Sequence, residues 1–165
     1  MKINDDHMYH GAALIQIAEH PQFTAINAFK YKKGISRSSF AVNDLIGVYL
    51  KYASQPTQPH QEYVFNFNQP HLDELKDLRK QKEKVFLGLV CVGAKQICCI
   101  SYERLHDLIM KRADAKGQQE DTYSVLVTVL DGRRFRVYAN APGERNKKLG
   151  EIMIPRSDFP GCLFS

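Results

Sequence analysis

Near the C-terminal end, Arg134, Arg136 and Tyr138 alternate with Phe135 and Val137. On a strand, alternate side chains point to opposite faces, so burying Phe135 and Val137 presents two guanidiniums and a phenol ring together. Arg133 lies just before this segment, and Arg145, Lys147 and Lys148 follow in a turn-rich loop. Guanidinium forks match phosphate oxygens and a ring can stack on a base, so these seven residues form a candidate surface for nucleic acid or another polyanion. The competing expectation is an ordinary solvated strand face. Histidines offer a second chemistry: His7 and His10 lie three apart, with Glu19 and His20 further along. Metal centres need three or four converging ligands, and no compact third ligand follows, so no resident metal is expected. Four cysteines, at 91, 98, 99 and 162, lack paired CxxC spacing. All four are expected as reduced thiols; adjacent strand residues such as Cys98 and Cys99 point to opposite faces, and Cys91, Cys98 and Cys99, in the central hairpin, are expected to be largely unreactive core residues. Cys99, two residues before Ser101, is the cysteine nearest a helix start, where a thiol pKa is lowered.

A third constellation runs from Val42 to Lys51, VNDLIGVYLK. An acid followed by a lysine on the next strand resembles the metal site of PD-(D/E)xK nucleases. On that resemblance Glu19, Asp44 and Lys51 take the family's positions, and Mg²⁺ or Mn²⁺ is the implied cofactor. The pattern departs from the family at Tyr49, which stands where the second metal-binding carboxylate belongs, so Glu62 would have to supply that oxygen from the following strand. The resemblance covers about thirty residues and implies an active nuclease or a degenerate relative.

These residues are positioned by elements that hydrophobic periodicity marks out. Leu14, Ile15, Ile17 and Ala18 give a first helix an apolar face, which Pro21 terminates. Phe23 to Gly34 is ambiguous and carries a basic cluster, Lys30, Lys32 and Lys33. Ser38 to Val42 and Gly47 to Ala53 read as a hairpin around Asn43-Asp44. Tyr63 to Phe67 alternates aromatic residues as a third strand, and Asn68 caps a helix with Pro70 in its first turn and Leu72, Leu75 and Leu78 inside. Val85 to Val92 is the most apolar run, read as a central strand paired through Gly93-Ala94-Lys95 with Gln96 to Ile100. Ser101 then caps a helix striped by Leu105, Leu108 and Ile109, ending near Gly117. Tyr123 to Leu130 and Arg134 to Tyr138 flank Asp131-Gly132, a two-residue hairpin signal, and Glu151 to Ile154 reads as a short edge strand. Hairpins outnumber long crossovers, so the expected fold is α+β, a mostly antiparallel mixed sheet with about three helices in one domain spanning 1–165.

The 165 residues carry a net charge of +5 and a pI near 9.0, favouring an anionic partner. The polar, acidic start MKINDD and the lack of any run approaching a membrane span lead to a cytoplasmic, membrane-independent expectation. GxxxxGK[ST], GxGxxG, GxSxG and HExxH are absent, which removes the usual forms of several enzyme classes. The preferred expectation is therefore a nucleic-acid or polyanion-binding module without catalysis or cofactor. The alternatives are the nuclease or its degenerate relative, and a homo-oligomeric subunit that buries the aromatic strand face of Tyr63, Phe65 and Phe67.

Overall fold

A computed structural model describes residues 1–32 and 34–165; Lys33 of the expected basic cluster lies outside them. In chain order the elements are α1 (Asp5–Ala18), β1 (Ile26–Tyr31), β2 (Gly34–Val42), β3 (Ile46–Ala53), β4 (Glu62–Asn68), α2 (Gln69–Gln81), β5 (Lys84–Cys91), β6 (Gln96–Ser101), α3 (Tyr102–Lys116), β7 (Thr122–Thr128), β8 (Phe135–Ala141) and β9 (Glu144–Ile154), followed by a 3-10 turn at Gly161–Phe164. The fold is α+β as expected, but the strands form two sheets, with orders β1-β2-β3-β5-β6 and β4-β7-β8-β9. One pair, β3 with β5, is parallel, and its crossover runs through β4 and α2. Among the described residues no helix is long and apolar enough to cross a membrane.

The first sheet is buried on both faces, which is why Val85 to Val92 reads as continuous apolar sequence rather than an alternation. Tyr49, Leu87, Leu89, Cys98 and Ile100 face a core shared with α2, α3 and the second sheet. Val48, Leu50, Val90, Ile97 and Cys99 face a second core closed by Ala13 and Ile17 of α1 and by Phe159 and Leu163. Cys98 and Cys99 thus go to opposite faces, as strand periodicity requires. The strand at the middle of this sheet is β3; β5 stands beside it, one place from the edge.

Local chemistry sets the element ends. Asn68 Oδ1 accepts from His71 N at 3.0 Å and Ser101 Oγ from Arg104 N at 3.2 Å, each satisfying an orphan donor of the first helical turn. Gly117 takes the left-handed conformation, φ 80°, that closes α3. Asn43 and Asp44 both have positive φ in the β2–β3 turn, and Asn43 Oδ1 accepts from Thr24 N at 2.7 Å, tying that turn to the segment before β1. Tyr63, Phe65 and Phe67 are buried inside the shared core, so the aromatic face proposed as an oligomer surface is already covered by this chain itself.

Candidate nucleic-acid interface

The β7–β8 hairpin forms, but its connection spans residues 129–134, longer than the two residues that Asp131-Gly132 suggested. Arg134 therefore lies in the turn with Arg133, and both are exposed. The expectation that Tyr138 shares an exposed face with Arg134 and Arg136 is overturned: Tyr138 is 2 % exposed and its hydroxyl donates to Glu62. Strand alternation correctly separates Tyr138 from Phe135 and Val137, yet the face it occupies is itself covered. The cover comes from β9, which runs from Glu144 instead of forming a short edge strand. Its register with β8 shifts between Asn140↔Lys148 and Ala141↔Glu144, leaving Arg145, Asn146 and Lys147 outside the ladder. Arg145 from this bulge pairs with the Glu62 carboxylate on β4, three strands away in the sheet order, and Lys148 Nζ stands 5.2 Å from the Tyr138 ring centroid. Glu62 is buried, which pushes its carboxyl up, but the Arg145 and Tyr138 hydrogen bonds more than reverse this and hold it below the ordinary glutamate value. Burial and the Glu62 hydrogen bond push the Tyr138 phenol up, so it stays a donor. Arg136, half-buried, pairs with Glu151 at 3.7 Å.

Of the seven expected surface residues, then, Tyr138, Arg136 and Arg145 are engaged within the protein, Lys148 is exposed but lies over the Tyr138 ring, and Lys147 is exposed in the bulge near the β8–β9 tip. That tip and the Arg133-Arg134 turn lie at opposite ends of the seven-residue β8, about 20 Å apart at ~3.3 Å per residue, so the seven do not make one patch.

A residue that sequence inspection passed over organises the Arg133-Arg134 end. Arg156 Nη1 donates to Leu130 O at 3.2 Å and to Arg133 O at 3.1 Å, while its Nε donates to Gln96 Oε1 at 2.6 Å. Its guanidinium also lies 5.2 Å from the Phe135 ring centroid. This one side chain cross-links the β7–β8 turn to the start of β6, next to Lys95 in the β5–β6 turn. Lys95, Arg133 and Arg134 are exposed, and among the described residues none of these four cations joins an ion pair. The only signal in the sequence was Arg156 following Pro155 in a segment without other features.

The residues of the nuclease alternative are dispersed. Asp44 is exposed in the β2–β3 turn and Lys51 stands seven residues further along, about 23 Å at ~3.3 Å per residue. Glu62 is engaged with Tyr138 and Arg145 on the other sheet, and Glu19 caps the end of α1, exposed. Among the described residues no three His, Cys, Asp or Glu side chains group as a metal would need. His7 Nδ1 accepts from Asn4 N, His10 Nδ1 lies 3.0 Å from Arg37 O, and His20 stacks on Phe164.

Lys51 nevertheless has an unusual setting. Its Nζ lies 3.5 Å from His71 Nδ1 and 5.3 Å from the Phe67 ring centroid, and among the described residues it has no carboxylate partner. The neighbouring Glu74 instead accepts from the Ser36 and Ser39 hydroxyls. Burial lowers the Lys51 pKa, and burial followed by the Lys51 charge lowers that of His71. Because the folded ammonium titrates below its unfolded value, it opposes folding at neutral pH, and this opposition fades as pH rises through the folded pKa toward ~10.4. Lys51→Met is expected to raise the thermal midpoint at pH 7 by about 2–4 °C, the equivalent of ~1 kcal/mol, with the gain shrinking in scans toward pH 10. A constant gain across pH would show that the lysine is not desolvated.

No protein-family model matches this chain, and neither the curated proteins nor the solved structures show a match to it.

Proposed function

We propose that this protein is a non-catalytic module that binds a phosphate-rich polyanion, nucleic acid foremost, through the end bearing Lys95, Arg133, Arg134 and Arg156. The observation that carries this reading is the Arg156 cross-link, which ties the β7–β8 turn bearing Arg133 and Arg134 to Gln96, the sequence neighbour of Lys95, while among the described residues none of these cations joins an ion pair. Holding like charges together costs stability unless an anion shares the site, and planar guanidiniums suit phosphate oxygens. The contacts are to backbone phosphates, so the binding is broad in sequence preference. With Tyr138 buried, base stacking on that ring is not part of the mechanism.

The test is anisotropy of a labelled oligonucleotide across a salt series. Each phosphate contact contributes about 0.7–0.9 to the slope of log affinity against log salt. Replacing Arg133 and Arg134 together by Ala is expected to flatten the slope by about two contacts' worth and to weaken binding to unrelated sequences alike. Arg136→Ala, whose guanidinium already faces Glu151, should change it less. Absence of binding at low salt, or an unchanged slope in the double variant, would overturn the proposal.

A further inference from the structure

We propose that Cys99 and Cys162 are a redox modification site: a peroxide-class oxidant joins them in a reversible disulfide that staples the C-terminal segment to β6. Their sulfurs lie 2.8 Å apart, so reaching the ~2.05 Å of a disulfide takes an approach of less than about 1 Å. The other two thiols are excluded by the sheet. Cys91 and Cys98 belong to the shared core on the opposite face, and burial holds Cys91 up at about 12. Cys99 is buried in the second core, but Cys162, in the turn Gly161–Phe164, is partly exposed.

An open cleft of about 420 Å³ reaches the pair. It is lined by both cysteines together with Lys84, Ser101, Arg104, Asp158 and Ser165, whose O accepts from Lys84 Nζ at 2.6 Å. Such an opening admits a small oxidant to the sulfurs. The more accessible Cys162 attacks first: its sulfur, as the thiolate, displaces hydroxide from hydrogen peroxide, giving a sulfenic acid and, after protonation, one water. The Cys99 sulfur then attacks the sulfenic sulfur, expelling a second water and leaving the disulfide. Two thiols are oxidised by two electrons and one peroxide is reduced to two waters. The Cys162 contact and burial hold the Cys99 thiol well above its usual range, which suits the resolving rather than the attacking role.

The product closes a loop whose ends are 63 residues apart. It anchors Phe159 and Leu163, which cover the second core beside α1. By the loop-closure entropy removed from the unfolded chain, oxidation should raise the thermal midpoint by roughly 10 °C.

The experiment treats the full chain with stoichiometric hydrogen peroxide and counts thiols under denaturing conditions. The expected result is a fall from the four cysteine thiols of the sequence to two. The intact mass should drop by about 2 Da, a cross-linked peptide should contain Cys99 and Cys162, and dithiothreitol should reverse all three changes. Cys91→Ser should keep the cross-link and Cys162→Ser abolish it; peptide mapping of the unmutated protein decides the matter if either variant fails to fold. Retention of four thiols, a cross-link through Cys91 or Cys98, or oxygen adducts without a cross-link would each overturn the proposal.

Discussion

Arg145→Ala is expected to destabilise the protein by about 2–3 kcal/mol, although half of that side chain lies in water. The reason is what it leaves behind. The Glu62 side chain is 2 % exposed against 48 % for Arg145, so the variant strands a buried carboxylate with only the Tyr138 hydroxyl for company. Breaking a fully buried pair costs ~3–5 kcal/mol, and solvent around the arginine reduces that figure. Glu62→Gln in the same background should recover more than half of the loss, because a neutral amide is far cheaper to bury. The pH dependence gives a sharper check. In the wild type the Glu62 pKa is lowered, so its contribution is present above the unfolded value near 4.3 and is lost as pH falls through the folded value. Without Arg145, burial, the largest single influence on Glu62, is expected to outweigh the Tyr138 hydroxyl and the His60 charge and to raise the folded pKa above the unfolded one. The sign inverts: Arg145→Ala should gain stability relative to wild type as pH falls from 7 toward about 4.3. Urea midpoints measured across that range decide it, and parallel curves for the two proteins would show that Arg145 does not hold the Glu62 charge.

Glu62 also shows why the polar centres were harder to foresee than the elements. The helices α2 and α3 were legible because their signals are local: Asn68 and Ser101 supply the caps, and Leu75, Leu78, Leu105 and Leu108 the buried stripes. The β2–β3, β5–β6 and β7–β8 pairings followed from strand periodicity and turn residues in the same way. Division into two sheets was not legible, since every pairing of β4 with β7 joins residues some sixty positions apart, as in Phe65↔Val125. Nor was the length of β9. Its segment from Glu144 to Lys148 is exposed and charged, which reads as a loop, and the bulge hides whatever alternation it carries.

The same distinction governs the candidate site. Period-two alternation separated Tyr138 from Phe135 and Val137, but which face is covered depends on Arg145 and Glu62 arriving from opposite edges of the second sheet. Arg133 and Arg134 are adjacent in sequence, so their clustered charge is visible in one dimension. Arg156 is tied to their turn and to Gln96, the neighbour of Lys95, only through that amide and the carbonyls of Leu130 and Arg133, contacts set by tertiary structure. Lys51 drew attention through its spacing from Asp44, yet its distinctive surroundings are His71 and Phe67, which the crossover brings over β3.

That crossover leads to the second large effect, at Gly47. The parallel ladder pairs Gly47 with Val85, and α2 must pass close above it to connect β4 with β5. A Cβ on Gly47 would lie 2.8 Å from Leu78 Cγ, 3.0 Å from its Cδ1 and 3.1 Å from its Cδ2. Leu78 is fully buried, and because the closest atom is the branch point rather than a free methyl, rotation alone does not relieve the clash. Gly47→Ala should therefore cost about 1–3 kcal/mol through overpacking. Leu78→Ala, which removes the same obstruction but opens a cavity, should cost ~2–5 kcal/mol. In the double variant the new methyl partly fills the space that Leu78 vacates, so the combined loss should fall short of the sum by about 0.5–3 kcal/mol. Gly88→Ala is the control: its Cβ meets only the terminal Leu50 Cδ2 closely, at 2.8 Å, and that methyl can move. Urea denaturation of the four variants measures the coupling. Additive losses at positions 47 and 78 would mean that α2 does not rest on this glycine, and that the missing side chain is not what lets the crossover close over β3.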